Sequence, residues 1–182
     1  GIVLNKTKNI NIYNLVIDGL NQLQNRGYDS AGISVIKDSN FEVHKYASTN
    51  KINALDKLAS LNLTSEETGI AIGHNRWATH GIKTDANAHP HLSNNSKFVI
   101  VHNGIIENYN ELKQMLVKEG FTFYSQTDTE VIANLLQHNY SLDISAGIFE
   151  SIKKTVDMLT GTYGLLIQSL YEPKDRKSTR LN

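Results

Sequence analysis

Two short stretches hold the residues best suited to chemistry. The first is Asn75-Arg76-Trp77-Ala78-Thr79-His80-Gly81, directly after the apolar run that begins at Gly69. An arginine leaving a strand end presents a planar, five-donor fork that matches a carboxylate bidentately. A hydrogen bond to a charged group contributes about 1.5–3 kcal/mol. The same fork also suits a structural pairing with an acid at the edge of the core, and Arg76 alone favours neither. Thr79 and His80 can orient a ligand or satisfy backbone groups of their own loop. The second stretch is His102-Asn103-Gly104, at the end of the apolar run Lys97–Val101. Asn103 offers a side-chain NH2, and Gly104 lets its backbone N–H approach a ligand with no side chain in the way. Two such donors side by side can stabilise an oxyanion, and losing one typically slows catalysis by about 10²–10³. Asn-Gly is equally a common hairpin turn, but Ile105-Ile106-Glu107-Asn108 does not read as a returning strand.

Two further groups have both a structural and a functional reading. Thr127-Asp128-Thr129-Glu130 is a good helix start, because Thr and Asp are favoured N-caps and Glu suits the first turn. Asp128 is also placed to grip a ligand's ammonium group. Asn25-Arg26-Gly27-Tyr28-Asp29-Ser30-Ala31-Gly32 ends in small residues, which suggests close packing around a site, with Arg26 and Asp29 as a structural ion pair. Seven histidines, including His89 and His91 around Pro90, raise the question of a metal. Zinc sites need three or four ligands, and no thiolate is present to help. No metal and no cofactor is expected. No G-x-S-x-G elbow is present, which argues against a Ser-His-Asp hydrolase.

Bulk properties narrow the class. The chain has 182 residues, enough for a sizeable core. Lys plus Arg and Asp plus Glu each number 18, so the net charge is zero. A neutral chain has no broad electrostatic footprint for nucleic acid or an anionic membrane. The runs Ile70–Ile72 and Phe98–Val101 are far too short to span a bilayer. No secretion-signal pattern opens the chain, so a cytoplasmic location is expected. With zero cysteines there is no disulfide and no cysteine nucleophile within these residues. The absence of an initiator Met suggests a piece of a longer chain.

The elements that must position these residues follow from periodicity and turn chemistry. Gly1–Leu4 reads as a buried strand. Ile12–Gln24 reads as a helix with Ile12, Leu15, Ile17, Leu20 and Leu23 roughly on one face. Ala31–Ile36 and Phe41–Tyr46 are strands joined by the polar turn Lys37–Asn40. Asn53–Leu61 is a short helix and Gly69–Gly73 a strand. Ile82–Ser96 is an irregular loop. Lys97–Val101 is a strand, Tyr109–Lys118 a helix closed by Gly120, Thr127–Tyr140 and Ala146–Met158 helices, and Tyr163–Ser169 a strand. Strands come in adjacent runs rather than alternating with helices, so the expected class is α+β, a layered sandwich rather than a doubly wound sheet. With no repeat and no linker, residues 1–174 are expected to form one domain. Residues 175–182 have no apolar periodicity and read as a non-native tail, the kind of translation a sequencing adapter yields.

Five stretches taken together resemble one family. They are Arg26-Gly27-Tyr28-Asp29-Ser30-Ala31-Gly32-Ile33, His74–Gly81, Asn87-Ala88-His89-Pro90-His91, Val101–Asn108 and Thr127–Glu130. In this order they resemble the class II glutamine amidotransferases, which implies the N-terminal-nucleophile (Ntn) hydrolase fold, a four-layer αββα sandwich. Tyr28-Asp29-Ser30 and Trp77-Ala78-Thr79-His80 point to the branch that aminates sugar phosphates rather than the purine-pathway branch. The resemblance implies that Arg76 binds the α-carboxylate of glutamine and Asp128 its α-ammonium. Trp77, Thr79 and His80 would shape the loop over glutamine, with Arg26 in support. Asn103 and Gly104 would form the oxyanion hole.

In that family a cysteine at the mature N-terminus attacks the side-chain amide of glutamine, with its own α-amino group as base. It sits just before a Gly-Ile-Val-like strand, and this chain opens Gly1-Ile2-Val3, so the nucleophile is expected one residue ahead of Gly1. Leu4-Asn5-Lys6 departs from the glycine-containing turn expected there. The implied partners are L-glutamine and, in a homo-oligomeric full-length protein, C-terminal sugar isomerase domains acting on fructose 6-phosphate. As written the chain is expected to be inactive. The alternatives are a glutamine-binding regulatory module that has lost its nucleophile, or an amidotransferase for another acceptor.

Overall fold

The computed structural model describes residues 2–4, 11–64, 69–77, 82–172 and 176–181, with backbone only for 2–4, 26 and 176–181. The chain divides into two compact units, Gly1–Pro90 and His91–Asn182. Each is an antiparallel sheet with its own helices.

The first unit contains β1 (Ile2–Leu4), α1 (Ile12–Gln22), β2 (Ser30–Lys37), β3 (Asn40–Ala47), α2 (Ala54–Ser60) and β4 (Gly69–Arg76). The sheet order is β1-β4-β2-β3, antiparallel throughout. β2 and β3 form a hairpin closed by Asp38 and Ser39, both at positive φ (49° and 59°). This is the two-residue turn whose twist matches its strands. Asn11 caps α1, its side chain accepting from the Tyr13 N–H at 3.0 Å.

The buried face of α1 is Ile12, Tyr13, Val16, Ile17 and Leu20. It differs from the expected stripe, since Leu15 and Leu23 are exposed. The reason lies in β4. A Cβ at Gly73 would meet Val16 Cγ1 at 2.5 Å, and one at Gly69 would meet Ile12 Cδ1 at 3.2 Å. These bare positions admit the helix along its 12–16–20 row, spaced by four residues. Ala31, Ile33 and Val35 of β2 and Ala54, Leu55 and Leu58 of α2 complete this core.

The second unit contains β5 (His91–Leu92), β6 (Phe98–Ile106), α3 (Tyr109–Lys118), α4 (Asp128–Leu142), α5 (Gly147–Met158), β7 (Gly161–Ser169) and β8 (Arg176–Leu181). Its sheet order is β5-β6-β7-β8, again antiparallel. α3 ends as expected at Gly120 (φ 87°). The Phe121 N–H returns to the Leu116 carbonyl at 3.0 Å and the Gly120 N–H to that of Val117 at 3.1 Å, the paired bonds of a Schellman cap. α4 is buried on nearly every side over residues 128–136. Ile132, Leu135 and Leu136 are fully enclosed with Phe98, Ile100 and Leu116. Each such side chain contributes roughly 1.5–3 kcal/mol.

Three segments differ from their sequence reading. The region 82–96, read as irregular, holds the short strand β5, paired through His91↔Ile100 and Leu92↔Val99. β6 does not stop at Val101 but runs to Ile106, because β7 supplies partners as far as Gly161. Residues 176–181, set apart as a tail, pair in backbone with β7 from Gln168↔Arg176 to Tyr163↔Leu181. Such pairing uses only main-chain groups, so apolar periodicity does not report it.

Candidate active site

Arg76 is the last residue of β4, opposite Ser30 of β2. Its carbonyl accepts the Asp29 N–H at 3.1 Å, and the residue is buried. The turn after α1 reaches this strand end because Gly27 has no side chain: a Cβ there would meet the Asn75 carbonyl oxygen at 2.9 Å and the Arg76 carbonyl carbon at 3.0 Å. Asn75 ties the same point to α1 by donating from Nδ2 to the Leu20 carbonyl at 2.7 Å. The end of β4 is therefore fixed from two sides before any ligand arrives.

Asp29, buried beside Arg76 in backbone, pairs its carboxylate with the ammonium of Lys83. That hydrogen bond holds the Lys83 ammonium above the ordinary lysine range. Tyr28 and Trp77 are exposed, their ring centroids 5.8 Å apart at an interplanar angle of 54°. Lys83 Nζ lies 5.8 Å from the Tyr28 ring centre. Thr79 and His80 lie outside the described residues, as does the side chain of Arg26 and with it the Arg26–Asp29 pair.

In the second unit Asn103 and Gly104 sit within β6, three and two residues before its end, rather than beyond it as the sequence suggested. Asn103 is exposed, and its cross-strand neighbour is Gly164, which places no side chain over it. Gly104 has φ 133°, and a Cβ on it would collide with the Thr162 carbonyl oxygen. Only glycine fits there, on both conformational and steric grounds.

The start of α4 resolves the choice of cap. Thr127 is the N-cap, its Oγ1 accepting from the Glu130 N–H at 3.4 Å. Asp128 is the first helical residue, and its Oδ2 accepts the Ile106 N–H at 3.0 Å. Glu130 faces backwards, accepting from the Tyr124 N–H at 2.9 Å, the Ser125 N–H at 2.7 Å and the Ser125 hydroxyl at 2.6 Å. It orders the approach to the helix. His102, to which the sequence reading gave no role of its own, lies buried with Nδ1 3.0 Å from Thr129 Oγ1 and 3.6 Å from Asp128 Oδ1. Strand alternation was the available signal, since position 102 shares a face with Phe98 and Ile100.

The two histidines of the His89-Pro90-His91 motif join different networks. His89 meets His74 with ring centroids 4.5 Å apart and the planes tilted by 36°. His91 Nε2 lies 3.0 Å from Thr127 Oγ1. Among the described residues no group of three or more His, Asp or Glu is arranged to hold a metal ion. No helix among them is long and apolar enough to cross a membrane.

Comparison with known proteins places these features in a family. The family described as "Glutamine amidotransferase domain" matches residues 74–178. The chain belongs to this glutamine amidotransferase domain family. Among curated proteins, glutamine–fructose-6-phosphate aminotransferase [isomerizing] of Caldanaerobacter subterraneus subsp. tengcongensis is 45% identical over 151 residues, 83% of this chain and 24% of that protein. The proteins of the same name from Haemophilus influenzae and Aquifex aeolicus are 43% and 46% identical over 166 and 159 residues, 91% and 87% of this chain and 26% of each relative. The chain thus spans about a quarter of the length of these relatives. Among solved structures, glutamine phosphoribosylpyrophosphate (PRPP) amidotransferase from B. subtilis, complexed with ADP and GMP, superposes with a TM-score of 0.67 at 29% identity, covering 87% of this chain and 33% of that one. The fold is the Ntn hydrolase α+β fold, with antiparallel sheets in both units.

Proposed function

We propose that the chain recognises L-glutamine and forms the glutamine-hydrolysing part of an aminotransferase that converts fructose 6-phosphate to glucosamine 6-phosphate. Residues 1–174 form this domain. It works in the cytoplasm beside the sugar isomerase domains of a longer, homo-oligomeric protein. Arg76 takes the α-carboxylate, and Asp128 takes the α-ammonium. Trp77, Thr79 and His80 shape the loop that meets glutamine, supported by Arg26. The cysteine thiolate attacks the side-chain carbonyl carbon, and the resulting oxyanion meets the Asn103 amide and the Gly104 N–H. Its collapse expels ammonia, the leaving nitrogen taking the proton that the cysteine's α-amino group removed from the thiol, and water then cleaves the thioester to give glutamate.

The observation that carries this reading is the Asp128 carboxylate held against the backbone of Ile106, two residues beyond Gly104. The residues proposed to receive the ammonium and the oxyanion lie on one short stretch of β6 and the first turn of α4. Transfer to a phosphoribosyl acceptor is the second reading, favoured by the solved PRPP amidotransferase at TM-score 0.67. The 41–46% identity to the fructose-6-phosphate enzymes supports the first over the 28–29% identity to the solved structures.

The test is release of glutamate and ammonia from glutamine after a cysteine is placed ahead of Gly1. Hydrolysis that Asn103→Ala slows by about 10²–10³ supports the proposal. A folded, cysteine-bearing chain with no glutaminase activity and no glutamine binding overturns it. A chain that binds glutamine without hydrolysing it is instead a glutamine-binding module.

A further inference from the structure

We infer that His102 is a positioning residue: it ties the first turn of α4 to β6 and so keeps the Asp128 carboxylate aimed at a ligand ammonium. This rests on the proposed role of Asp128 in glutamine recognition.

His102 is 4% exposed, and Thr129 is fully buried. The 3.0 Å separation of His102 Nδ1 from Thr129 Oγ1 is a hydrogen bond. The 3.6 Å to Asp128 Oδ1 is longer than a hydrogen bond and sets the ring beside the carboxylate. Four residues further along the same strand, the Ile106 N–H donates to Asp128 Oδ2 at 3.0 Å. Two consecutive helix residues, Asp128 and Thr129, are thus held at two points of one strand. Those points bracket Asn103, Gly104 and Ile105. The His102 ring also meets Tyr163 of β7 edge-on, with centroids 6.4 Å apart at 69°. The ring is thereby fixed in orientation.

The clamp matters because a carboxylate swings about its side-chain torsions unless the backbone that carries it is held. Pinning the helix turn that carries it holds the carboxylate in place, and recognition depends on such support to within fractions of an ångström. As mere filler, an imidazole on the face shared with Phe98 and Ile100 is a poor choice. It carries a desolvation cost that a phenyl ring of similar shape does not.

The experiment compares two ligands on the chain as it stands, titrated by amide chemical-shift changes. One is L-glutamine. The other is 4-carbamoylbutanoate, the same molecule without the α-ammonium. The unaltered chain should prefer glutamine. His102→Phe keeps the ring volume without hydrogen bonding, and should lose about tenfold in glutamine affinity but under about twofold for 4-carbamoylbutanoate. His102→Asn places an amide near the Nδ1 position and should recover glutamine affinity to within about threefold. Thr129→Val should behave like His102→Phe, and it decides the matter if the phenylalanine variant does not fold. A folded His102→Phe or Thr129→Val chain that keeps the full preference for glutamine overturns the inference. An unaltered chain that binds glutamine no better than 4-carbamoylbutanoate removes the Asp128 reading first, and this one with it.

Discussion

The backbone N–H of Ile106 donates to the Asp128 carboxylate at 3.0 Å, joining the end of the strand that carries Asn103 and Gly104 to the first turn of α4. Asp128 therefore has a structural duty as well as its proposed role toward an ammonium, and the two are separable. Asp128→Asn retains an acceptor for Ile106 but no charge. It should keep its melting temperature within about 3 °C and lose about tenfold or more in glutamine affinity. Asp128→Ala leaves the buried Ile106 N–H unsatisfied and should cost a further 1–3 kcal/mol or so of stability. Calorimetric titration and thermal melts on both variants distinguish the roles. Equal glutamine binding by Asp128→Asn and the unaltered chain would contradict the ammonium assignment.

Gly104 should tolerate no side chain. At φ 133° and with the Thr162 carbonyl in the way, Gly104→Ala should cost about 2–4 kcal/mol in urea unfolding. Gly164, opposite Asn103, has nothing within 4 Å of an added Cβ. Gly164→Ala should therefore stay within about 1 kcal/mol. Similar losses for the two would mean that backbone entropy, not the collision, dominates.

Arg76 contributes to folding through its backbone, which any replacement preserves: its carbonyl receives the Asp29 N–H. Arg76→Ala should lower glutamine affinity at least about tenfold. Arg76→Lys should restore only part of it, because an ammonium lacks the planar fork. Should Arg76→Ala unfold the chain instead, the guanidinium would be a structural ion rather than a carboxylate receptor.

Stability should fall in alkali partly through Tyr13. Burial first, and then the hydrogen bond to Glu42 and that residue's negative charge, push its phenol well above the ordinary tyrosine value. Below about pH 10 the folded and unfolded chains both keep this proton, so the contribution is constant. Above that point the unfolded chain ionises while the folded one resists, and stability drops as pH rises. Tyr13→Phe should make the decline between about pH 9 and 11 shallower by up to one proton equivalent. Tyr140 and Tyr163, shifted upward by burial as well, should retain the rest of the slope. An unchanged slope would show that Tyr13 is not differentially protonated.

Much of the local architecture was legible because it depends on neighbours in the chain. The β2–β3 hairpin follows from two alternating runs and a polar turn, and the end of α3 follows from Gly120. Thr127 as cap and Asp128 as first helical residue could not be told apart, because both types serve at a helix start. What decided it was Ile106, twenty-two positions earlier, whose N–H needs the carboxylate.

Residue chemistry was in the sequence from the outset: a guanidinium at Arg76, an amide at Asn103, a carboxylate at Asp128, and glycines where backbones must come close. Their order along the chain was enough to bring the family into view. Long-range geometry was not there to be read. The buried face of α1 was chosen by the bare positions Gly69 and Gly73 of β4, and the length of β6 by its register on β7. The strand at 176–181 arises from main-chain pairing that carries no side-chain signature. His102 became a buried partner of Thr129 only once β6 lay beneath α4. Local torsions and side-chain polarity are properties of short segments, whereas burial, register and hydrogen-bond partnership exist only between segments that folding has brought together.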